Sequence, residues 1–288
     1  MESIGHILFA SDLSEPSRAA LRRAGELKRQ LGARLTVLHV VEAGLSRQLA
    51  ERRCREAMEI LEQHMADVVD AEARHVAVEV LRGERFATIL EQAEARGADL
   101  IVLGDTKKRR WKELFGGTTL ERVPRLSAQP VLVAGHGGNE PYRRLLAAFD
   151  ASPAAGKALR LALTIASEAE CRIVHAAETP VLAQFMTRQA GDALAANAIK
   201  GVRSSLLHEL ERAGPLRRRP DLQIVEGNAH FVIPDQMRDF TPDLLALGTH
   251  ARGSTATALL GSFARDLLTA ASCDVLVAAP DRVLADTT

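Results

Sequence analysis

Residues 99–104 read DLIVLG, and residues 243–248, which lie 144 positions further along the chain, read DLLALG. Other segments keep the same offset: GGTTLERV (116–123) with LGSFARDL (260–267), PVLVA (130–134) with DVLVA (274–278), and Gly83 with Gly227. A fixed internal period indicates that one structural unit occurs twice. The glycine-rich segment GHGGNEPY (135–142) has the composition of a linker. We therefore expect two domains, residues 1–137 and 142–288.

Short apolar runs alternate with longer amphipathic stretches in each copy. In the first copy HILFAS (6–11) precedes a helical pattern that has Ser14 or Asp12 as its candidate N-cap and that ends at Gly32. The remaining runs are LTVLHVV (35–41), HVAVEVL (75–81), DLIVLG and PVLVA, then RLLAAF (144–149), RIVHAA (172–177), LQIVE (222–226), DLLALG and DVLVAA. Such runs between helices are typical of parallel strands buried on both faces. The sequence predicts an α/β fold of two repeated, doubly wound (Rossmann-like) domains, each with a five-stranded parallel sheet flanked by helices.

The composition argues against several kinds of partner. The 288 residues include 37 basic and 37 acidic side chains and only 3% aromatic residues, which is unlike a nucleic-acid-binding protein. No apolar run approaches the roughly 18 residues of a membrane span, and no signal-peptide pattern is evident, so we expect a cytoplasmic protein. Cys54, Cys171 and Cys273 are isolated from one another, and no metal-ligand spacing is present, so no metal site is predicted.

The candidate site residues follow the first and fourth strands, because open α/β sheets bind ligands where the strand order reverses. The first strand of each copy is followed by an aspartate, Asp12 or Asp150, with a serine two residues later. The fourth strand leads into GDTKKRRWKELFGGTT (104–119) or GTHARGSTATALLGSF (248–263). Each of these loops starts at a glycine and ends in a glycine–hydroxyl pair before a predicted helix. Unpaired amides at a helix start favour a phosphate, although a plain turn with an N-cap gives the same pattern.

With these features the chain resembles a tandem universal stress protein, that is, two domains of this family in one polypeptide. Nucleotide-binding members of the family carry glycine, two residues, glycine, nine residues, then glycine and Ser/Thr. Both copies here match the outer positions but not the middle glycine, which is replaced by Lys107 in the first copy and by Ala251 in the second. The second copy is the better candidate, since alanine adds only one methyl group and Arg252 beside it can contact a phosphate.

The resemblance implies an adenine nucleotide, ATP or a relative, with or without Mg²⁺. It places Asp12 and Asp150 at the ribose or adenine side, and Val40 and Ala176 on the adenine pocket. The implied contact residues in the first copy are Asp12, Val40, Gly104, Lys107, Gly117, Thr118 and Thr119. Those in the second copy are Asp150, Ala176, Gly248, His250, Ala251, Arg252, Gly261, Ser262 and Phe263.

The function this implies is a stress-response regulatory protein that binds nucleotide, acts on an unknown protein partner, and hydrolyses ATP slowly if at all. One alternative is a nucleotide-independent scaffold of the same family, which the altered middle positions favour. Another is a nucleotidyl-transferring enzyme, which lacks a supporting motif here. The final strands, PVLVA and DVLVA, are apolar sheet edges that need a partner. We expect them to pair with each other as an intramolecular pseudo-dimer, or with their copies in a homodimer.

Overall fold

The computed structural model describes residues 3–66, 76–105, 119–135, 140–177, 188–249 and 262–280. The strands in these ranges are β1 (His6–Ser11), β2 (Arg34–Glu42), β3 (Val76–Gly83), β4 (Leu100–Gly104), β5 (Val131–Ala134), β6 (Arg144–Ala148), β7 (Glu170–Ala177), β8 (Asp221–Glu226), β9 (Leu244–Gly248) and β10 (Asp274–Ala278). The helices are α1 (Glu15–Leu31), α2 (Arg47–Ala66), α3 (Arg85–Ala95), α4 (Thr119–Leu126), α5 (Pro153–Ile165), α6 (Arg188–Ala213), α7 (Ala229–Phe240) and α8 (Ser262–Ala270).

The strands form one sheet in the order β3-β2-β1-β4-β5-β10-β9-β6-β7-β8. All neighbours within a copy are parallel, and the strand order reverses between β1 and β4 and between β6 and β9. These are the two doubly wound units that the sequence predicts. Their sheets are continuous, because β5 and β10 pair antiparallel with Leu132 opposite Leu276. The two apolar edges therefore cover each other within the chain.

The aspartate that opens the repeated DLIVLG segment joins two strands at their starts. In the first copy Asp99 Oδ2 accepts hydrogen bonds from the N–H groups of Gly5 and His6, at 2.8 and 3.0 Å. Asp243 does the same in the second copy, accepting from the N–H groups of Arg143 and Arg144 at 2.8 and 3.0 Å. The carboxylate satisfies amides at the starts of β1 and β6, which explains why aspartate occurs at this position in both copies.

The hydrophobic core lies on both faces of the sheet and crosses the junction between the copies. One cluster combines residues of α1, α2, α5 and α6 with the sheet, including Leu27 and Leu159. The opposite face carries one cluster under α3 and α4 and another under α7 and α8. Leu268 packs against both of these clusters. The copies thus share a core as well as a strand pair.

A buried carboxylate, Asp274 at the start of β10, fixes the junction. Its side chain is fully buried and accepts hydrogen bonds from Tyr142 Oη at 2.8 Å, Arg23 Nε at 3.3 Å and the N–H of Gly135 at 3.1 Å. Arg23, on α1, is 3% exposed and also donates to the carbonyl of Glu140 at 2.7 Å. The first copy, the connecting segment and the second copy therefore meet at one charged group.

The ends of the predicted linker belong to this junction. The Arg23 guanidinium lies 4.0 Å from the centroid of the Tyr142 ring, and burial of the phenol raises the pKa of Tyr142 well above 10. In the repeat, the position of Asp274 corresponds to Pro130, so the first copy has no counterpart of this carboxylate. The sequence predicted a connecting segment here but not the burial of Tyr142 at its end.

Cys171 and Cys273 are buried, and burial raises the pKa of the Cys171 thiol to about 12. None of the helices in the described ranges has both the length and the apolar character of a membrane span.

Candidate functional site

The candidate site lies where the first strand of each copy ends. Ser14 is the N-cap of α1, and its Oγ accepts from the N–H of Ser17 at 3.3 Å. Asp12 precedes it as an exposed residue whose Oδ1 accepts from the N–H and the Oγ of Ser14, at 3.0 and 2.5 Å. Of the two candidate caps, serine is therefore the cap and aspartate forms the turn before it.

The second copy repeats this arrangement. Ser152 caps α5 and accepts from the N–H of Ala155 at 3.2 Å. Asp150 is exposed, and its Oδ1 accepts from the N–H of Ser152 at 3.0 Å. In both copies the turn fixes one carboxylate oxygen and holds the side chain at the edge of the sheet, beside a helix start.

The residue between aspartate and serine has a left-handed backbone in both copies. Leu13 has φ 65° and Ala151 has φ 61°, a conformation that is uncommon without glycine, especially for a residue as large as leucine. Backbone conformations of this kind occur often at functional sites, where the surrounding structure maintains them. No local sequence signal predicts a left-handed backbone at these two positions, since neither leucine nor alanine favours this conformation.

The glycine at the end of the fourth strand allows a helix to approach. A Cβ on Gly248 would lie 2.5 Å from the backbone N of Ala155 and 2.8 Å from the carbonyl carbon of Ala154. A Cβ on Gly104 would lie 2.7 Å from Cα of Ser17. The resemblance implied that both glycines contact the nucleotide. The structure shows that they bring the start of α5 or α1 against the fourth strand, which places the aspartate turn near the end of that strand.

Two histidines lie beside the aspartates, on the second strand of each copy. His39 Nδ1 is 2.8 Å from the carbonyl oxygen of Ser11, and His175 Nδ1 is 2.8 Å from that of Phe149. The next residues are the predicted adenine contacts. Val40 is only 6% exposed and packs in the core cluster under α3 and α4, whereas Ala176 is partly exposed. The two copies thus differ in how exposed the residue is that is predicted to contact adenine.

His39 is expected to titrate below its ordinary pKa. Burial disfavours its charged form and lowers its pKa from 6.5, against the opposing effect of the hydrogen bond with Ser11. Between the folded-state pKa and 6.5 the unfolded chain binds more protons, so this group's contribution to stability is complete above pH 6.5 and is lost as the pH falls through the folded pKa. An NMR titration of the ring protons checks this, and a midpoint at or above 6.5 would contradict it.

The remaining predicted residues divide into two groups. Thr119 and Phe263 lie in the first turns of α4 and α8, and the Phe263 ring meets His230 on α7 edge to face, with centroids 4.9 Å apart. No sequence pattern predicts this contact of His230. Ser262 begins α8. The other predicted contacts lie outside the described residues: Lys107, Gly117, Thr118, His250, Ala251, Arg252 and Gly261.

The sequence model of the universal stress protein family matches this chain twice, at residues 3–135 and 141–279. The chain therefore belongs to the universal stress protein family and carries two of its domains.

Individual relatives agree with this assignment. Universal stress protein MJ0577 of Methanocaldococcus jannaschii is 26% identical over 153 residues, which are 44% of this chain and 92% of that protein. The crystal structure of a universal stress protein from Archaeoglobus fulgidus superposes with a TM-score of 0.72 at 21% identity, covering 96% of this chain and 97% of the other. A structure from Pseudomonas aeruginosa UCBPP-PA14 gives a TM-score of 0.65 at 21% identity, covering 96% and 94%. These structures share the fold over nearly the whole chain.

Proposed function

We propose that this protein is a cytoplasmic stress-response regulator that binds ATP or a related adenine nucleotide at the carboxyl edge of its sheet. The observation that supports it most is the exposed aspartate on a left-handed turn, which recurs in both copies beside a capped helix and the end of the fourth strand. Nucleotide occupancy would alter the loops that follow the fourth strand, and through them the association with a protein partner.

The chemistry of these strand ends suits a nucleotide. An exposed aspartate is an acceptor for sugar hydroxyl groups, and the turns hold the Oδ1 oxygens of Asp12 and Asp150 at the ends of the first strands. α8 starts at Ser262, the hydroxyl residue of the glycine–hydroxyl pair of the second copy, and a helix start offers amides and a positive dipole end to phosphate. Sugar and phosphate would therefore be bound at neighbouring strand ends.

We propose little or no hydrolysis. His39 and His175 lie beside the aspartates, and the Nδ1 of each is hydrogen-bonded to a backbone carbonyl oxygen. This bond fixes the orientation of the imidazole rings, which suits residues that line a binding site. The protein would then act through the binding of nucleotide. Mg²⁺, where present, would bind together with the nucleotide.

Isothermal titration of the intact chain with ATP tests the proposal. We expect binding by the wild-type protein, and we expect Gly261→Arg to remove one bound nucleotide per chain, because a large cation side chain would occupy the proposed phosphate position. Gly201→Arg is the matched control, since Gly201 is exposed on α6 and a Cβ there meets no atom within 4 Å. Absence of ATP binding to wild type, or equal binding by the Gly261 variant, would overturn the proposal.

A nucleotide-independent scaffold is the second candidate. Helix packing alone accounts for Gly104 and Gly248, and neither copy has the family's middle glycine. Denaturing freshly purified protein and chromatographing the released small molecules separates the two. Adenine nucleotide in the supernatant favours the regulator, and its absence together with failure to bind ATP favours the scaffold.

A further inference from the structure

Thr249, the first residue after β9, carries a buried hydroxyl group without a hydrogen-bond partner among the described residues. The residue is 2% exposed, and its N–H donates to the carbonyl of Ala278 at 2.9 Å, so its backbone still follows the sheet. A buried hydroxyl that makes no hydrogen bond lowers the stability of a fold, so such a group calls for an explanation.

The direction of this side chain follows from the alternation of the strand. The Cβ position of Gly248 faces α5, where it meets the backbone of Ala155, and Leu247 packs in the cluster under α7 and α8. Successive side chains point to opposite faces, so Thr249 faces the layer of α7 and α8. That is the layer in which α8 starts, at the glycine–hydroxyl pair that the sequence associates with phosphate.

The first copy has a different group at the same position. Asp105 directly follows Gly104, the last residue of β4. It donates its N–H to the carbonyl of Ala134 at 2.8 Å and is 8% exposed. A hydroxyl group can donate a hydrogen bond to a phosphate oxygen, whereas an ionised carboxylate only accepts and carries the same charge sign as phosphate. The two copies thus offer opposite chemistry to an anion at one structural position.

We infer that the Thr249 hydroxyl donates a hydrogen bond to a phosphate group of the nucleotide in the second copy, and that Asp105 makes the first copy the weaker phosphate site. This inference rests on the nucleotide-binding function proposed above. It assigns a ligand contact to a residue between the glycines of the motif and gives the two copies unequal affinity.

Thr249→Val tests the first part, because valine keeps the shape and removes the hydroxyl. ATP affinity measured by isothermal titration should fall about tenfold or more, the effect of losing a hydrogen bond to a charged group. The thermal midpoint of the nucleotide-free protein should be unchanged or higher, since no hydrogen bond is lost there. Thr36→Val is the control: Thr36 is 4% exposed, but its Oγ1 lies 2.9 Å from His6 Nε2, so this variant should lose stability and keep its ATP affinity.

Reciprocal substitutions test the inequality of the copies. Thr249→Asp should abolish the tighter site, and Asp105→Thr, made in the Gly261→Arg background, should strengthen binding to the first copy. A Thr249→Val protein with wild-type affinity, two equivalent sites in the wild type, or no gain from Asp105→Thr would overturn the inference while leaving nucleotide binding intact. Failure of the wild type to bind ATP at all would instead overturn the proposed function, and this inference with it.

Discussion

Replacing Asp274 with asparagine is expected to lower the free energy of unfolding by about 3–5 kcal/mol, the usual cost of removing one partner from a buried ion pair. Arg23 would keep its charge at 3% exposure without the Asp274 carboxylate that pairs with it. Tyr142 donates to Oδ2 and the Gly135 amide to Oδ1, and asparagine has one carbonyl oxygen, so one of these donors would keep a neutral acceptor and the other would face an NH2 group. Chemical denaturation monitored by circular dichroism gives the change.

The matched control for this variant is Asp235→Asn on α7. Asp235 also pairs with an arginine, Arg238, but both side chains are mostly exposed, so its loss should change stability little. An Arg23→Met variant combined with Asp274→Asn completes a double-mutant cycle, and the two substitutions together should cost less than the sum of the singles. Equal stability of Asp274→Asn and wild type would show that the junction does not depend on this ion pair.

Gly248→Ala is expected to destabilise the second copy by about 1–3 kcal/mol and to weaken nucleotide binding there. The added methyl group would lie 2.5 Å from the backbone N of Ala155, and backbone cannot rotate away as a side chain can. The start of α5 must then move, and the turn that holds Asp150 moves with it. Denaturation and ATP titration of the same preparation measure both effects.

Gly201→Ala provides the comparison for that substitution. Gly201 is exposed within α6, where a Cβ meets no atom within 4 Å, and alanine is the better helix former, so this variant should be as stable as wild type or slightly more stable. If Gly248→Ala also retains full stability and affinity, close packing of α5 on β9 is not what requires glycine at that position.

Much of the fold follows from local sequence. The offset between DLIVLG and DLLALG predicts two units, and the short apolar runs predict strands such as β1 and β9 within a residue or two of their ends. Ser14 or Asp12 as candidate N-cap predicts the start of α1 within two residues, because capping depends on residues two or three positions apart. The two domain boundaries, 1–137 and 142–288, stay predictions.

The candidate site was predicted only in part. The positions of Asp12 and Asp150 followed from the rule that ligands bind at the carboxyl ends of strands, and the structure places both there in equivalent turns. The left-handed backbone of Leu13 and Ala151 was not predictable, since these residue types do not favour it and only their surroundings hold it.

By itself, the sequence determined the duplication, the strand and helix pattern and the family, because periodicity and capping are properties of neighbouring residues. Only the tertiary structure decided what the individual side chains contact. It gave Asp274 a partner 251 positions away in Arg23, assigned Gly104 and Gly248 to helix packing, and left the Thr249 hydroxyl buried without a partner among the described residues. Each of these depends on contacts between distant segments, which form only when the sheet and its helices assemble around a common core.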